Sequence, residues 1–271
     1  MKKTQKIVVL ATGGTIAGWA GDVTSPQNYQ AGQVGVDDLL IDLALDDFEL
    51  VSEQVAQIDS KDMSFEVWQQ LLQRIVHWQS QDDVRGIVIT HGTDTVEETA
   101  FMLARVLPTQ MPIALTCAML PANADHADGP SNLRAALYLA KEAKQTEQFG
   151  ILAVMASKLC LARELSKQHT HALDALVANA HELDGPIHKR QADLSLPGQA
   201  HWPWVEIVTS HGGASGRLVD WLVSEHVDGI VVAGTGQGSI HGKLTEALIK
   251  AAELGIPVVR SSRVGAGAVF S

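Results

Sequence analysis

Val/Ile-rich runs of strand length recur along the chain: KIVVLAT, FELVSEQV, GIVIT, PIALTCAM, GILAVM, VEIVTS, GIVVAGT and PVVRSS. Helix-like segments separate several of them, at Val96 to Leu107, Ser131 to Glu147 and Leu244 to Leu254. A strand that is apolar along its whole length has no solvent face, so it belongs in a parallel sheet covered by helices on both sides. The pattern predicts an α/β fold, doubly wound, with a parallel-sheet N-terminal domain and a smaller α/β C-terminal domain.

At 271 residues the chain has room for one large or two modest domains. The stretch Gly185 to Trp204 follows neither period and carries Pro186, Pro197 and Pro203. It suggests an N-terminal domain over 1–185, a linker over 186–204 and a C-terminal domain over 205–271. The last piece is short enough to bury only ~60% of its unfolded surface. It ends just after a strand, so the expectation is an incomplete C-terminal domain.

Acidic residues outnumber basic ones by 31 to 20, a formal charge of −11. That balance argues against nucleic acid or an anionic membrane as partner. Cys117 and Cys160 are the only cysteines and sit among apolar neighbours, as reduced, buried thiols would. The start MKKTQKIVVLATGG imitates a leader, but glycines interrupt the apolar run early, and we expect a cytoplasmic chain. No stretch approaches the ~18 uninterrupted apolar residues of a membrane span.

In open α/β sheets, ligands bind beyond the carboxyl ends of the strands. Two such ends stand out. VVLATGGTIAG offers Thr12 and Thr15; GIVITHGTDTVEETAFML offers His91, Thr93, Asp94 and Thr95. Thr95 with Glu98 three residues on has the spacing of a capping box. Two hydroxyls facing one crevice, with an acid beside one of them, suit nucleophilic attack on an activated carbonyl. Gly13, Gly14 and Gly92 would let backbone N–H groups approach a developing oxyanion. Each motif alone reads more readily as a tight strand-to-helix turn than as a site; together they weigh the two readings equally.

Several rivals fail on counting. TGGTIAG has adjacent glycines and misses G-x-G-x-x-G. GTGQGSIHGKL has Gln237 where a phosphate loop needs glycine, and Leu244 follows Lys243. No G-x-S-x-G elbow occurs. His169, His171, His181 and His188 lack metal-site spacing, so no metal and no cofactor is expected.

ATGGTIAG together with HGTDTVEETA resembles the bacterial L-asparaginase and glutaminase-asparaginase family. NYQAGQVGV, IDSKDM, ADGPSNL, GIVVAGTG and PVVRSSRVGAGA extend the likeness over the whole chain. The resemblance implies that Thr15 is the nucleophile and that Tyr29, on a mobile loop, helps activate it. It implies a cluster of Thr93, Asp94 and Lys167, with Asp94 also holding the substrate's α-amino group. Ser60 would meet the α-carboxylate, the backbone at Ala118 the side-chain amide, and Gly14 and Gly92 would border the substrate. The implied activity is hydrolysis of L-asparagine, and of L-glutamine as a second substrate, through a threonine acyl-enzyme. A homo-oligomer, dimer or tetramer, is implied too.

Two departures stand against the family pattern. Lys61 follows the serine where many members have Gln, Glu or Asp, putting a cation near the substrate's charged end. The glycine-rich loop of the C-terminal domain reads GTGQGS, with Gln237 and Ser239 where the family has an asparagine. With the short C-terminus, these leave an alternative: a non-catalytic or impaired amino-acid-binding member of the same fold.

Overall fold

A computed structural model describes residues 4–22, 28–45, 47–108, 111–142, 150–178 and 202–270. The chain divides into two compact units, Met1–Leu196 and Pro197–Ser271. The linker expected over 186–204 falls almost wholly outside the described residues.

The first unit runs β1 (Gln5–Gly13), β2 (Trp19–Ala20), β3 (Tyr29–Gln30), α1 (Val36–Leu40), β4 (Phe48–Ile58) and α2 (Phe65–Gln79). It continues with β5 (Val84–Thr90), α3 (Val96–Val106), β6 (Ile113–Thr116), α4 (Gly129–Lys141) and β7 (Leu152–Met155). Three short strands follow: β8 (Lys158–Leu161), β9 (Leu165–Lys167) and β10 (Leu176–Ala178). One six-stranded sheet has the order β4-β1-β5-β6-β7-β8. The first five strands are parallel, and β8 closes the edge antiparallel to β7.

Alternate residues of β1 serve opposite layers. Val8 and Leu10 pack with Leu71 and Ile75 of α2 and Leu103 of α3. Ile7 and Val9 pack with Leu133 and Leu137 of α4. All four β1 residues are fully buried, which is why the sequence shows a continuous apolar run. Each such side chain contributes roughly 1.5–3 kcal/mol by leaving water. The leader-like segment is therefore a central strand. Helix α4 starts two residues earlier than expected, because Pro130 sits in its first turn, where the missing N–H costs nothing.

β1 lies between β4 and β5, so the strand order reverses there. The carboxyl ends of β1 and β5 are the crevice at which ligands of open α/β sheets bind.

The second unit comprises β11 (Val205–Thr209), α5 (Arg217–Ser224), β12 (Gly229–Gly234), α6 (Gly242–Glu253) and β13 (Val258–Ser262). The strands are parallel in the order β11-β12-β13. Both helices cover one face, packing Val219, Leu222, Leu244 and Leu248 on Val208, Ile230 and Val232. Ile207 and Val259 remain 66% and 56% exposed. After β12, Thr235 and Ser239 exchange two backbone hydrogen bonds of 2.8 Å and close the loop that holds Gln237. Among the described residues no helix is long and apolar enough to cross a membrane.

Candidate active site

Three strand ends meet backbone to backbone. A Cβ on Gly13 would overlap the Ile58 carbonyl at the end of β4, and one on Gly14 would overlap Gly92 beyond β5. Both glycines also have positive φ, at 101° and 80°. A Cβ on Gly92 would lie 2.5 Å from Ser60 Oγ. The glycines are thus required by close packing of segments far apart in sequence. This corrects one expectation: Gly14 N–H donates to Ile58 O at 2.8 Å, so it is not available to an oxyanion.

Beyond that junction, Thr15–Ala17 form a 3-10 turn. Thr15 is buried, and its Oγ1 lies 2.6 Å from Tyr29 Oη. Tyr29 sits in β3, paired with Ala20 of β2, and its hydroxyl is already in contact instead of waiting on a loop. Gly18 makes room, since a Cβ there would be 2.7 Å from the Tyr29 ring. Asn123 anchors the hairpin, accepting from Ala20 N–H at 2.8 Å and donating to Ala20 O at 2.7 Å. Thr12 plays no such part: its hydroxyl is spent on Thr90 O at 3.0 Å.

The second strand end carries the other hydroxyl. Lys167 Nζ, at the end of β9, donates to Thr93 Oγ1 at 2.9 Å and to Asp94 Oδ1 at 2.6 Å. Lys167 and Asp94 thus form an ion pair. Its backbone N–H donates to Glu97 Oε2 at 2.7 Å, which ties β9 to the first turn of α3. His91 lies beneath, fully buried. Because Gly92 O can only accept, Nδ1 at 2.8 Å carries the ring proton. Thr99 Oγ1 then donates to Nε2 at 2.9 Å and accepts from Trp68 Nε1 at 2.8 Å. Burial pushes the imidazole pKa down to about 4, so the ring is neutral near pH 7.

Ser60 opens a short 3-10 turn after β4. Its Oγ accepts from Asp94 N–H at 3.2 Å and its carbonyl accepts from Thr95 Oγ1 at 2.7 Å. Hence the capping box expected of Thr95 does not form: the hydroxyl turns to Ser60 and makes no cap bond to α3. Lys61 departs as well. Its Nζ lies against Asp62 and 3.6 Å from Asp59, a pair on its own turn. Ala118 follows β6 and is fully buried. A Cβ on Gly129 would lie 3.6 Å from Ala118 Cβ and 3.1 Å from Ile16 Cγ1, so the segment borders the Thr15 turn.

Sequence reasoning singled out neither Asn123, Glu97, Asp128 nor Asn132. Asp128 accepts from the backbone N–H groups of Met119 and Leu120, and Asn132 donates to Cys117 O. The available signal was an acid and an amide four residues apart at a helix start, hence on one face. His169 caps its own turn by accepting from Ala172 N–H at 2.9 Å. His181 and His188 lie outside the described residues. Among the described residues no group of His, Cys, Asp and Glu could hold a metal ion. Cys117 and Cys160 are both buried, as expected.

Residues 6–197 match the asparaginase N-terminal family model, and residues 204–271 match that of the glutaminase/asparaginase C-terminal domain. L-asparaginase 2 of Escherichia coli is 36% identical, over 97% of this chain and 79% of the relative. L-asparaginase 2 of Bacillus subtilis is 34% identical, over 99% and 75%. The glutaminase-asparaginase of Pseudomonas fluorescens is 35% identical, over 98% and 77%. Among solved structures, a probable cytoplasmic L-asparaginase from Campylobacter jejuni superposes with a TM-score of 0.90 at 33% identity, covering 98% of this chain and 86% of that one. With both strand-end signatures meeting at one crevice and both family models matched, the chain belongs to the asparaginase family of amidohydrolases.

Proposed function

We propose that the chain hydrolyses the side-chain amide of L-asparagine, and that of L-glutamine as a second substrate, through an ester on Thr15. The observation that carries this reading is the pairing of two buried hydroxyls with different proton-handling groups. Thr15 faces Tyr29 at 2.6 Å and Thr93 faces Lys167 at 2.9 Å. Such pairing does nothing for a protein that only binds an amino acid, so it supports turnover.

A threonine hydroxyl is a weak nucleophile and needs a neighbour to take or polarise its proton. With its proton directed at Tyr29 Oη, Thr15 Oγ1 presents a lone pair to the amide carbon. Attack places negative charge on the former carbonyl oxygen. The N–H groups of Thr15 and Thr93 have no acceptor among the described residues and are donors at hand for that charge. Tyr29 Oη takes the Thr15 proton as its own is passed on to the amide nitrogen. The tetrahedral adduct collapses, the C–N bond breaks and the nitrogen leaves as ammonia. Thr93 Oγ1 already accepts from Lys167, so its own proton points outward and orients the water that cleaves the ester. That step releases the acid and returns the Thr15 hydroxyl. Asp94 holds the Lys167 ammonium in place and offers its exposed carboxylate to the substrate's α-amino group. Ser60 donates its hydroxyl proton to the α-carboxylate, and the backbone at Ala118 meets the side-chain amide. The working form is a homo-oligomer, and the buried thiols are in keeping with a reducing compartment, the cytoplasm.

Ammonia release from L-asparagine and L-glutamine, each tested with Thr15→Ala and Thr93→Ala, checks the reading. Thr15→Ala is expected to lose several orders of magnitude in kcat/KM. In Thr93→Ala, a fast first turnover and slow steady state is expected, with the ester accumulating on Thr15. Undiminished turnover in Thr15→Ala would overturn the mechanism.

A further inference from the structure

Two buried polar side chains hold the Ala118 segment from behind, and their role rests on the proposal that its backbone meets the substrate's amide. Asp128 precedes α4 and Asn132 lies one turn further on, 9% and 2% exposed. The Asp128 carboxylate accepts from Met119 N–H at 3.0 Å, from Leu120 N–H at 2.9 Å and from Asn132 Nδ2 at 3.1 Å. Asn132 Nδ2 gives its other proton to Cys117 O at 3.0 Å, and Oδ1 accepts from Ala156 N–H at 2.9 Å. Both protons and the oxygen of the Asn132 amide are engaged, so its orientation is fixed.

A trans peptide is planar, with its C=O and the following N–H pointing in opposite directions. Because Met119 N–H points at Asp128, the Ala118 carbonyl must point away from α4. Because Cys117 O points at Asn132, the Ala118 N–H must also point away from it. The pair thus dictates where both polar groups of Ala118 face, without touching a substrate. Burying a carboxylate costs free energy unless it is hydrogen-bonded, and here the three N–H donors come mainly from this segment. An acid serving only to start α4 would cap that helix, yet Asp128 makes no side-chain bond to the N–H groups of α4.

We infer that Asp128 and Asn132 are positioning residues that aim the Ala118 carbonyl at the N–H of the scissile amide. Such aiming separates two substrates that a general structural role would treat alike. A substrate with an amide N–H needs the carbonyl, whereas the β-methyl ester of L-aspartate, with the same carboxyl carbon and no N–H, does not.

The test compares kcat/KM for L-asparagine and for the β-methyl ester in the wild-type chain, Asp128→Asn and Asn132→Ala. Both values come from one preparation, so the folded fraction cancels from their ratio. Should Asp128→Asn fail to fold, Asn132→Ala leaves two of the three Asp128 bonds intact and gives the same readout. The expected result is an amide-to-ester ratio lowered roughly tenfold or more in each folded variant, with the ester rate nearly unchanged. Equal losses on both substrates, or none on either, would overturn the inference. A wild-type chain inactive on both substrates would overturn the proposed hydrolysis beneath it, and the inference with it.

Discussion

The loops that follow β1 and β12 look alike in sequence, VVLATGGTIAG and GIVVAGTGQGS, and both leave the carboxyl end of a buried parallel strand. Their glycines do different work. Gly13 and Gly14 press on Ile58 and Gly92, residues from two other strand ends. Gly234 instead packs on Gly238 of its own loop, and Gly236, at φ 50°, faces open space. The first loop is a junction of backbones from two other strand ends, whereas the second closes on itself through Thr235 and Ser239. It is met from the β13 side by Arg263 N–H on Gly234 O at 2.9 Å, Ser262 Oγ on Gly236 O at 2.6 Å and Val269 against Gly238. The two hydroxyls with proton-handling partners sit at the junction. A glycine-rich strand end therefore marks chemistry when its glycines admit the backbones of other strand ends, as Gly13 and Gly14 do, and the count of glycines says little.

Alanine at one glycine in each loop is the strongest test of that contrast. Gly14→Ala adds a methyl that overlaps the Gly92 backbone at a φ that disfavours it, so a loss above about 3 kcal/mol is expected. Gly236→Ala meets no neighbour and carries only the left-handed backbone cost, about 1 kcal/mol. Urea unfolding measures both. Similar costs would erase the distinction between junction and turn.

Acid provides the next test, because the junction is supported by a fully buried imidazole. His91 has a folded-state pKa of about 4 against about 6.5 when unfolded. Between those values the unfolded chain binds the proton and the folded one does not. Its contribution to stability is intact above pH 6.5 and falls as the pH drops toward 4, by roughly 3 kcal/mol in all. Subtracting the pH–stability curve of His91→Gln isolates this limb from the carboxylates that titrate nearby. A flat difference curve from pH 7 to 4 would mean that the ring is not buried as described.

The parts legible in the sequence were those written in side-chain pattern. Continuous apolar runs such as Ile7 to Leu10 announced two-sided burial, and the structure covers both faces of that strand. Thr15, Thr93 and Asp94 stood out at the strand ends, but their separate roles, and Tyr29 and Lys167 altogether, came through resemblance, since nothing in the spacing brings Lys167 to within 2.9 Å of Thr93. β2, β3, β9 and β10 have two or three residues each, too few to show any period. Asp128, Asn132 and Asn123 escaped notice because, the Asp128–Asn132 bond aside, their partners are backbone groups, which every residue carries. Thr95 misled for a related reason: its capping pattern was correct locally, but the Ser60 carbonyl from another segment took the hydroxyl. Long-range contacts override local signals where strand ends converge.

The smallest expected effect lies in the sheets themselves. Ile7 on β1 is sealed between helix layers, whereas Ile207 on β11 has 66% of its surface exposed, on a face that α5 and α6 leave uncovered. Removing one methyl reads the difference with little disturbance of the backbone. Ile7→Val should cost about 0.5–1.5 kcal/mol, through lost burial and a small cavity. Ile207→Val removes a methyl that water already reaches, so its change should stay within about 0.5 kcal/mol. A cost at Ile207 matching that at Ile7, and rising with protein concentration, would mean that this face is buried against another copy in solution. The contrast between the two sheets would then belong to the isolated chain alone. Equal costs independent of concentration would place the cover within the chain itself.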